Sequence, residues 1–217
     1  MRTKHGLTVI LSRAGVFAAL ILIFTAFTQI PLATGYIHLG DAFIFIACVY
    51  IGWAAVPAAA VGSALADIIS GYAVYALPTF LIKGIMAAIA VGIFALFKKN
   101  ARSASHNAQF REQGTGNREQ VEDCHFEQSE QPKKKSRSIP PIWLMLVAFT
   151  VASLFMQGAY MAADAVLIGI SWLESDGAYV FVFVEFLKGL VQSAIGVPLG
   201  IVAARLLKNL PSNVFMD

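Results

Sequence analysis

Charged residues are scarce in this sequence, and that scarcity determines its class. Only 13% of its 217 residues are Asp, Glu, Lys or Arg, whereas 58% are hydrophobic. The mean hydropathy is +0.69. An ordinary soluble domain carries about 25% charged residues, because polar groups must cover its surface. The composition therefore excludes a soluble globular domain and predicts a single integral membrane domain.

Other functional groups are also missing. The two cysteines, Cys48 in an apolar run and Cys124 in a polar segment, are in surroundings too different to predict a disulfide. The four histidines are scattered, and only His38 is near the other polar residues of the membrane segments. No nucleophile and base can be paired, so we predict no catalytic residues, no metal and no cofactor. An intramembrane enzyme is therefore disfavoured.

Apolar runs predict an all-α fold with six transmembrane helices. Basic residues flank these runs, so the net charge of +3 indicates orientation in the bilayer and not binding to nucleic acid. Residues 1–97 carry four of the helices and residues 140–217 carry two. The predicted spans are Leu7–Ile30, Asp41–Ala55, Pro57–Gly71, Thr79–Phe97, Pro140–Ile170 and Ala178–Leu207.

The run from Ala42 to Ala66 could be one long helix, but Gly52 and Pro57 interrupt it. Basic segments lie before the first helix and after the fourth, so an even number of crossings must separate them. A break between Gly52 and Pro57 gives four crossings and puts both termini in the cytoplasm. Residues 98–139 are polar and predict a disordered cytoplasmic linker, because they cannot bury enough apolar area to fold.

The segment Gly35–Asp41 is the main polar interruption of the first apolar region. Two glycines enclose Tyr36 and His38, and Asp41 stands where the next helix begins. This composition is typical of a loop that contacts a ligand. The alternative for Asp41 is a plain helix N-cap, since Asp is favoured there.

A few ionisable residues remain inside the predicted helices, and each is costly in a bilayer by roughly 2.5 to 3.5 kcal/mol. They are Asp67, Lys83, Asp164, Glu185 and Lys188. They should face the bundle interior, in the outer half of the membrane. The alternative is a structural network of ion pairs that serves only helix packing.

Spacing groups these residues further. Glu185 and Lys188 are three apart, and Gln157, Tyr160 and Asp164 also share one helical face. Tyrosines at the same level could stack on a flat ring, or could instead form an interfacial belt. The predicted substrate-binding residues are Tyr36, His38, Asp41, Asp67, Tyr75, Lys83, Gln157, Tyr160, Asp164, Glu185 and Lys188. Glu185 and Lys188 are expected to form the floor of the site.

Three stretches together resemble the substrate-binding S component of energy-coupling factor (ECF) vitamin transporters. They are Gly35–Asp41, Gly62–Asp67 followed by Gly71 and Tyr72, and Thr79–Gly84. The resemblance is closest to the riboflavin, hydroxymethylpyrimidine and pyridoxine branch. It implies that the chain binds a vitamin from outside, in the prokaryotic plasma membrane, for uptake.

The resemblance also implies partners. They are a transmembrane coupling subunit, docked on the small-residue strip Ala14 and Ala18 of the first helix, and two ATPase subunits. The chain lacks a phosphate-binding loop and cannot supply the ATPase itself. A stand-alone ion-coupled carrier, with Asp67 or Glu185 as a proton relay, is the rival hypothesis. Which vitamin is bound is left open at this point.

Overall fold

The computed structural model describes residues 2–32, 35–113, 139–168 and 177–207. Within these ranges the chain forms six α-helices, two short 3-10 turns and one two-stranded hairpin. The helices are α1 Arg2–Phe27, α2 Gly40–Ile51, α3 Ala55–Ile69, α4 Ala76–Gln113, α5 Ile142–Ile168 and α6 Gly177–Leu206. The strands are β1 Ile30–Leu32 and β2 Gly35–Ile37, and the 3-10 turns are Gly52–Ala54 and Ala73–Tyr75. The all-α class is confirmed, with the hairpin as a small addition.

Five segments of the described chain are long and apolar enough to cross a membrane. They are Leu7–Phe27, Gly40–Ile69, Ala73–Ala101, Ile142–Val166 and Phe186–Leu206. The second of these contains both α2 and α3. The chain is therefore a multi-pass membrane protein.

The first helix ends three residues earlier than predicted. The Thr28 hydroxyl donates to the Phe24 carbonyl, and the Leu39 amide donates back to the Thr28 hydroxyl at 2.9 Å. Ile30 then enters β1 and pairs with Ile37 of β2. The predicted loop Gly35–Asp41 is thus partly strand, and it folds back over the end of α1.

The predicted break between the second and third helices is confirmed. Gly52 has a φ of +57°, a conformation that residues with a side chain rarely adopt, and α2 ends there. The chain then reverses direction. Lys83 contacts Asp41 at the start of α2, and Tyr36 beside α2 contacts Asp67 near the end of α3. In one straight helix Asp41 and Asp67 would be about 39 Å apart.

Contacts between the other helices give their directions. Helices α3 and α4 are antiparallel neighbours that approach each other at Ala60 and Gly84. Helices α4 and α5 are also antiparallel, because Lys83 contacts Met156 and Thr79 contacts Tyr160. For α5 and α6 the links are Gln157 with Ser193 and Pro140 with Arg205. By contrast α2 and α6 run parallel, linked by Asp41 with Gln192 and Tyr50 with Ala204. The six helices therefore alternate in direction along the chain.

The apolar core lies next to the Gly52 turn and closes one end of the bundle. Phe45 of α2 stacks on Phe149 of α5 with ring centroids 4.2 Å apart, and Phe94 of α4 meets Phe149 edge-on. Met86, one turn beyond Lys83, is fully buried. The buried charged side chains Asp41, Asp67, Lys83 and Asp164 lie toward the opposite end of the bundle.

The fourth helix corrects the predicted linker. α4 continues to Gln113, so residues 98–113 are helical and not disordered. This extension is rich in Ala, Lys, Arg and Gln and contains neither Gly nor Pro before Gly114. The remainder of the predicted linker, residues 114–138, lies outside the described residues. Residues 169–176, between the last two helices, also lie outside the described residues.

Close approach of α1 and α3 depends on Gly62. A Cβ at this position would lie 2.5 Å from the Ala18 carbonyl oxygen, which is backbone and cannot move aside cheaply. We expect Gly62→Ala to lower the free energy of unfolding by about 1 to 3 kcal/mol through overpacking. Gly92→Ala in α4 is the control, because nothing lies within 4 Å of its added Cβ. Equal thermal stability of the two variants would contradict this packing.

Candidate functional site

A cavity lies at the polar end of the bundle, within the described part of the chain. It contains about 780 Å³ of empty space, part of which belongs to its open mouth. Side chains from α1, β2, α3, α4, α5 and α6 line it. The lining residues are Thr25, Tyr36, His38, Ser63, Asp67, Tyr72, Tyr75, Thr79, Lys83, Met156, Gln157, Tyr160, Asp164, Lys188, Gly189 and Gln192.

A buried ion pair holds the deep end of this cavity together. Lys83 Nζ lies 2.5 Å from Asp41 Oδ1, and both side chains are almost fully enclosed. The Gln192 amide donates to Asp41 Oδ2 at 2.5 Å, so both carboxylate oxygens have a donor. The pair therefore joins α2, α4 and α6 at one point.

The ammonium of Lys83 has further partners on α5. It donates to Met156 Sδ at 2.9 Å and lies 5.6 Å from the centroid of the Tyr160 ring, within the range of a cation–π interaction. Since Asp41 neutralises its charge, Lys83 is already satisfied by protein groups. Its geometry is that of a structural group that lines the cavity.

His38 is held in one protonation state and one orientation. The Gly40 amide donates to its Nδ1 at 3.0 Å, so Nδ1 carries no proton. Burial, with Lys83 and Lys188 nearby, lowers the pKa of His38 to about 4, and Asp41 only partly opposes this. The neutral ring must therefore carry its proton on Nε2. The Gln192 amide nitrogen is 3.4 Å from Nε2 and is also a donor, so this N–H is left to face the cavity.

Tyr36 connects the β-hairpin to α3. Its hydroxyl donates to Asp67 Oδ1, and its ring lies 5.0 Å from that of Tyr72. Burial and the neighbouring Asp67 raise the pKa of Tyr36 well above its usual value, so the phenol remains a donor. This contact closes the hairpin over one side of the cavity.

Four oxygens on the cavity wall are buried without a hydrogen-bond partner among the described residues. They are Thr25 Oγ1, Ser63 Oγ, Asp67 Oδ2 and Gln157 Oε1. A buried polar atom left unpaired costs roughly 1 to 3 kcal/mol, so native structures rarely keep several of them together. Two of these atoms can only accept, which predicts that a ligand brings donors to them.

The structure brings most of the predicted site residues together. Nine of the eleven line the cavity: Tyr36, His38, Asp67, Tyr75, Lys83, Gln157, Tyr160, Asp164 and Lys188. Asp41 lies behind the wall, bound to Lys83 and Gln192. Its interpretation as a helix N-cap is wrong, because α2 has no side-chain cap. The Glu185 side chain lies outside the described residues, so the expected floor of Glu185 and Lys188 stays a prediction.

Sequence reasoning missed Thr25, Ser63, Thr79, Met156, Gly189 and Gln192. All six are uncharged. Thr, Ser and Gly give no strong signal in an apolar helix, and Met is typical of an apolar core. Gln192 could have been found, since it lies four residues after Lys188 on the same face of α6. Gly189 is needed because a Cβ there would lie 2.5 Å from the Gln157 side chain.

Residues 8–110 match the family model described as ECF-type riboflavin transporter, S component. The chain belongs to this family. The matched region contains α1, the hairpin, α2, α3 and nearly all of α4, including Asp41, Asp67 and Lys83. A search of the curated proteins found no match to the chain.

The family membership decides between the hypotheses raised by the sequence. The protein is the S component of an ECF transporter, a membrane protein that binds a vitamin for uptake, and it is not an enzyme. The resemblance seen in the hairpin and in α3 and α4 is thereby confirmed. For the S component, the polar cavity at one end of the bundle is a candidate site for such a ligand.

Removing one member of the buried ion pair should be strongly destabilising. Lys83→Met leaves the Asp41 carboxylate buried without its cation and with the neutral Gln192 amide as a donor, at an expected cost of about 3 to 5 kcal/mol. Lys83→Met combined with Asp41→Asn should recover most of the thermal stability, because no charge is then left unpaired. Thermal unfolding in detergent measures both. A double variant no more stable than the single one would contradict a structural role for the pair.

Proposed function

We propose that the S component binds riboflavin in this cavity. The family model that the chain matches is that of riboflavin transporters. The observation that carries the proposal is the chemistry of the cavity, which is lined by tyrosines together with acceptors that have no partner among the described residues. Aromatic surface beside such acceptors suits a flat heterocycle that carries hydrogen-bond donors.

The polar groups of the cavity suit the ring of a flavin. His38 Nε2–H is a donor for a ring nitrogen or carbonyl oxygen, and Gln157 Oε1 is an acceptor for the ring N–H. Tyr72, Tyr75 and Tyr160 supply aromatic surface for stacking. Asp164 and Lys188 complete the predicted site on α5 and α6. Asp41 and Lys83 contribute indirectly, by fixing the helices that carry these groups.

The S component crosses the membrane six times, with both termini in the cytoplasm. The alternating directions of the six helices support this topology. α2 and α3, at 12 and 15 residues, are about 18 and 22 Å long and shorter than the hydrocarbon core of about 30 Å. Both are largely buried, so neighbouring helices shield their ends.

Charge supports the orientation. Arg13, Lys98, Lys99 and Arg205 all belong to the end of the bundle opposite the cavity, which the positive-inside rule assigns to the cytoplasm. The cavity then opens to the outside. That is the side from which a vitamin is taken up.

Uptake requires partners, and we propose a transmembrane coupling subunit that docks on α1 together with two ATPase subunits. α1 is the least enclosed of the candidate spans. Ala14 and Ala18, the predicted docking residues, are half-buried and pack against the core, and the Ala18 carbonyl meets Gly62. Gly15 and Ala19 are exposed on the other side of the same small-residue strip. A second helix can approach closely there.

Purified protein should bind riboflavin, and the binding should quench flavin fluorescence through stacking on the tyrosines. Tyr160→Leu should weaken binding roughly fivefold, since an aromatic pair contributes about 0.5 to 1.5 kcal/mol. Leu187→Ala, next to Lys188 but exposed on the outside of α6, is the matched control. Binding of pyridoxine or hydroxymethylpyrimidine in preference to riboflavin would refute the assignment of the vitamin.

Substitutions on the exposed side of α1 should separate uptake from binding. Gly15→Leu and Ala19→Leu should lower riboflavin uptake in cells that carry the coupling subunit and ATPases, while binding in detergent stays unchanged. Ile23→Leu, exposed on the same helix and equal in volume, should affect neither. Ala18→Trp should instead reduce stability, because it lies against α3. Normal uptake by both leucine variants would exclude this docking surface.

A further inference from the structure

One wall of the cavity carries buried oxygens that have no hydrogen-bond partner among the described residues. Thr25 Oγ1 comes from α1, and Ser63 Oγ and Asp67 Oδ2 come from α3. All three side chains line the cavity, and none is more than 4% exposed. We name them the α1/α3 wall. The Thr79 hydroxyl is also near Asp67, but no donor among the described residues is within hydrogen-bond distance of Oδ2.

The arrangement of the α1/α3 wall indicates which part of a ligand it faces. Ser63 and Asp67 are four residues apart and share one face of α3, with Asp67 about 6 Å nearer the outer end. Asp67 can only accept, so its partner must be a donor. The two hydroxyls can donate or accept. A carbon chain with several hydroxyl groups matches such a row, whereas a flat ring offers few donors along one edge.

Other residues that line the cavity have different chemistry. His38 offers an N–H, Gln157 offers one carbonyl oxygen, and Tyr160 offers an aromatic face. One donor and one acceptor beside an aromatic ring suit a heterocycle. The lining therefore holds groups that suit a ring as well as groups that suit a hydroxylated chain.

Charge on the α1/α3 wall adds a constraint. The cations whose described side chains line the cavity are Lys83, which Asp41 neutralises, and Lys188 on α6. Neither belongs to α1 or α3. An anionic group at the end of a ligand chain would therefore meet the Asp67 carboxylate in a poorly hydrated setting, where like charges repel strongly.

We propose that the α1/α3 wall binds the ribityl hydroxyls of riboflavin and that Asp67 excludes the 5′-phosphate ester, flavin mononucleotide. The proposal rests on the proposed function and adds a residue that determines specificity. Tyr36 contributes as a positioning residue, because its hydroxyl holds the other oxygen of Asp67. The S component would then select the free vitamin over its phosphorylated form.

The test measures three ligands on the intact protein: riboflavin, its 5′-phosphate, and lumiflavin, in which a methyl group replaces the ribityl chain. Thr25→Val, Ser63→Ala and Asp67→Asn should each weaken riboflavin binding about five- to tenfold. Lumiflavin binding should stay within about twofold of the wild type. Thr25→Val and Ser63→Ala should not lower the melting temperature without ligand, since neither oxygen has a partner in the part of the chain that the structure describes.

The phosphate ester tests the role of charge. Asp67→Asn should improve the affinity for flavin mononucleotide relative to riboflavin by at least about tenfold, because it removes the repulsion but keeps the shape. Asp164→Asn is the comparison, since it removes a carboxylate that lines the same cavity from α5. Ser153→Ala is the control for Ser63→Ala, because Ser153 is buried on α5 and does not line the cavity.

The possible results test separate parts of the proposal. If the three variants lose affinity for riboflavin and for lumiflavin equally, the assignment of the α1/α3 wall to the ribityl chain would be overturned. If Asp67→Asn keeps the wild-type preference for riboflavin over flavin mononucleotide, exclusion by Asp67 would be overturned. The same holds if Asp164→Asn improves the relative affinity for flavin mononucleotide as much as Asp67→Asn does. Failure of the wild-type protein to bind any flavin would overturn the proposed function itself, and the inference with it.

Discussion

The contact between Lys83 and Asp41 is the interaction on which the rest of this structure depends. Neither charge could stay unpaired in an apolar bundle without a cost of several kcal/mol. Their pairing therefore fixes α4 against α2, and Gln192 and Met156 bring α6 and α5 to the same point. On one side of this point lies an apolar core that closes the bundle. On the other side the helices diverge and leave the cavity.

The polar groups at the cavity are of two kinds, which differ in whether the described part of the protein supplies their hydrogen-bond partners. Lys83 and Asp41 are satisfied by protein partners, so they hold the structure together. Ser63 and Gln157 have buried atoms with no partner among the described residues, so they are available to a ligand. Close helix packing makes this possible, because Gly189 leaves room for the Gln157 side chain beside α6. The proposed binding site thus belongs to helices that the ion pair holds in place.

Much of this could be predicted from the sequence, and the failures have physical causes. Ionisable residues in apolar helices are conspicuous, and nearly all of those named in advance with described side chains line the cavity. Thr25 and Ser63 were missed because a hydroxyl costs little in a helix, where it can bond to the backbone, and so gives no pattern. The hairpin was missed because strands of three residues are too short for an alternating pattern, and Ile30–Leu32 reads as the end of a helix.

The sequence by itself determined the membrane class, the break at Gly52, the family and the list of polar residues that had to face inward. These follow from local properties, because the cost of placing a charge or a glycine in an apolar helix depends on that residue and its near neighbours. Only the tertiary structure decided which polar groups are paired and which are left for a ligand. Hydrogen bonds between residues such as Asp41 and Gln192, 151 positions apart, form only where the helices meet.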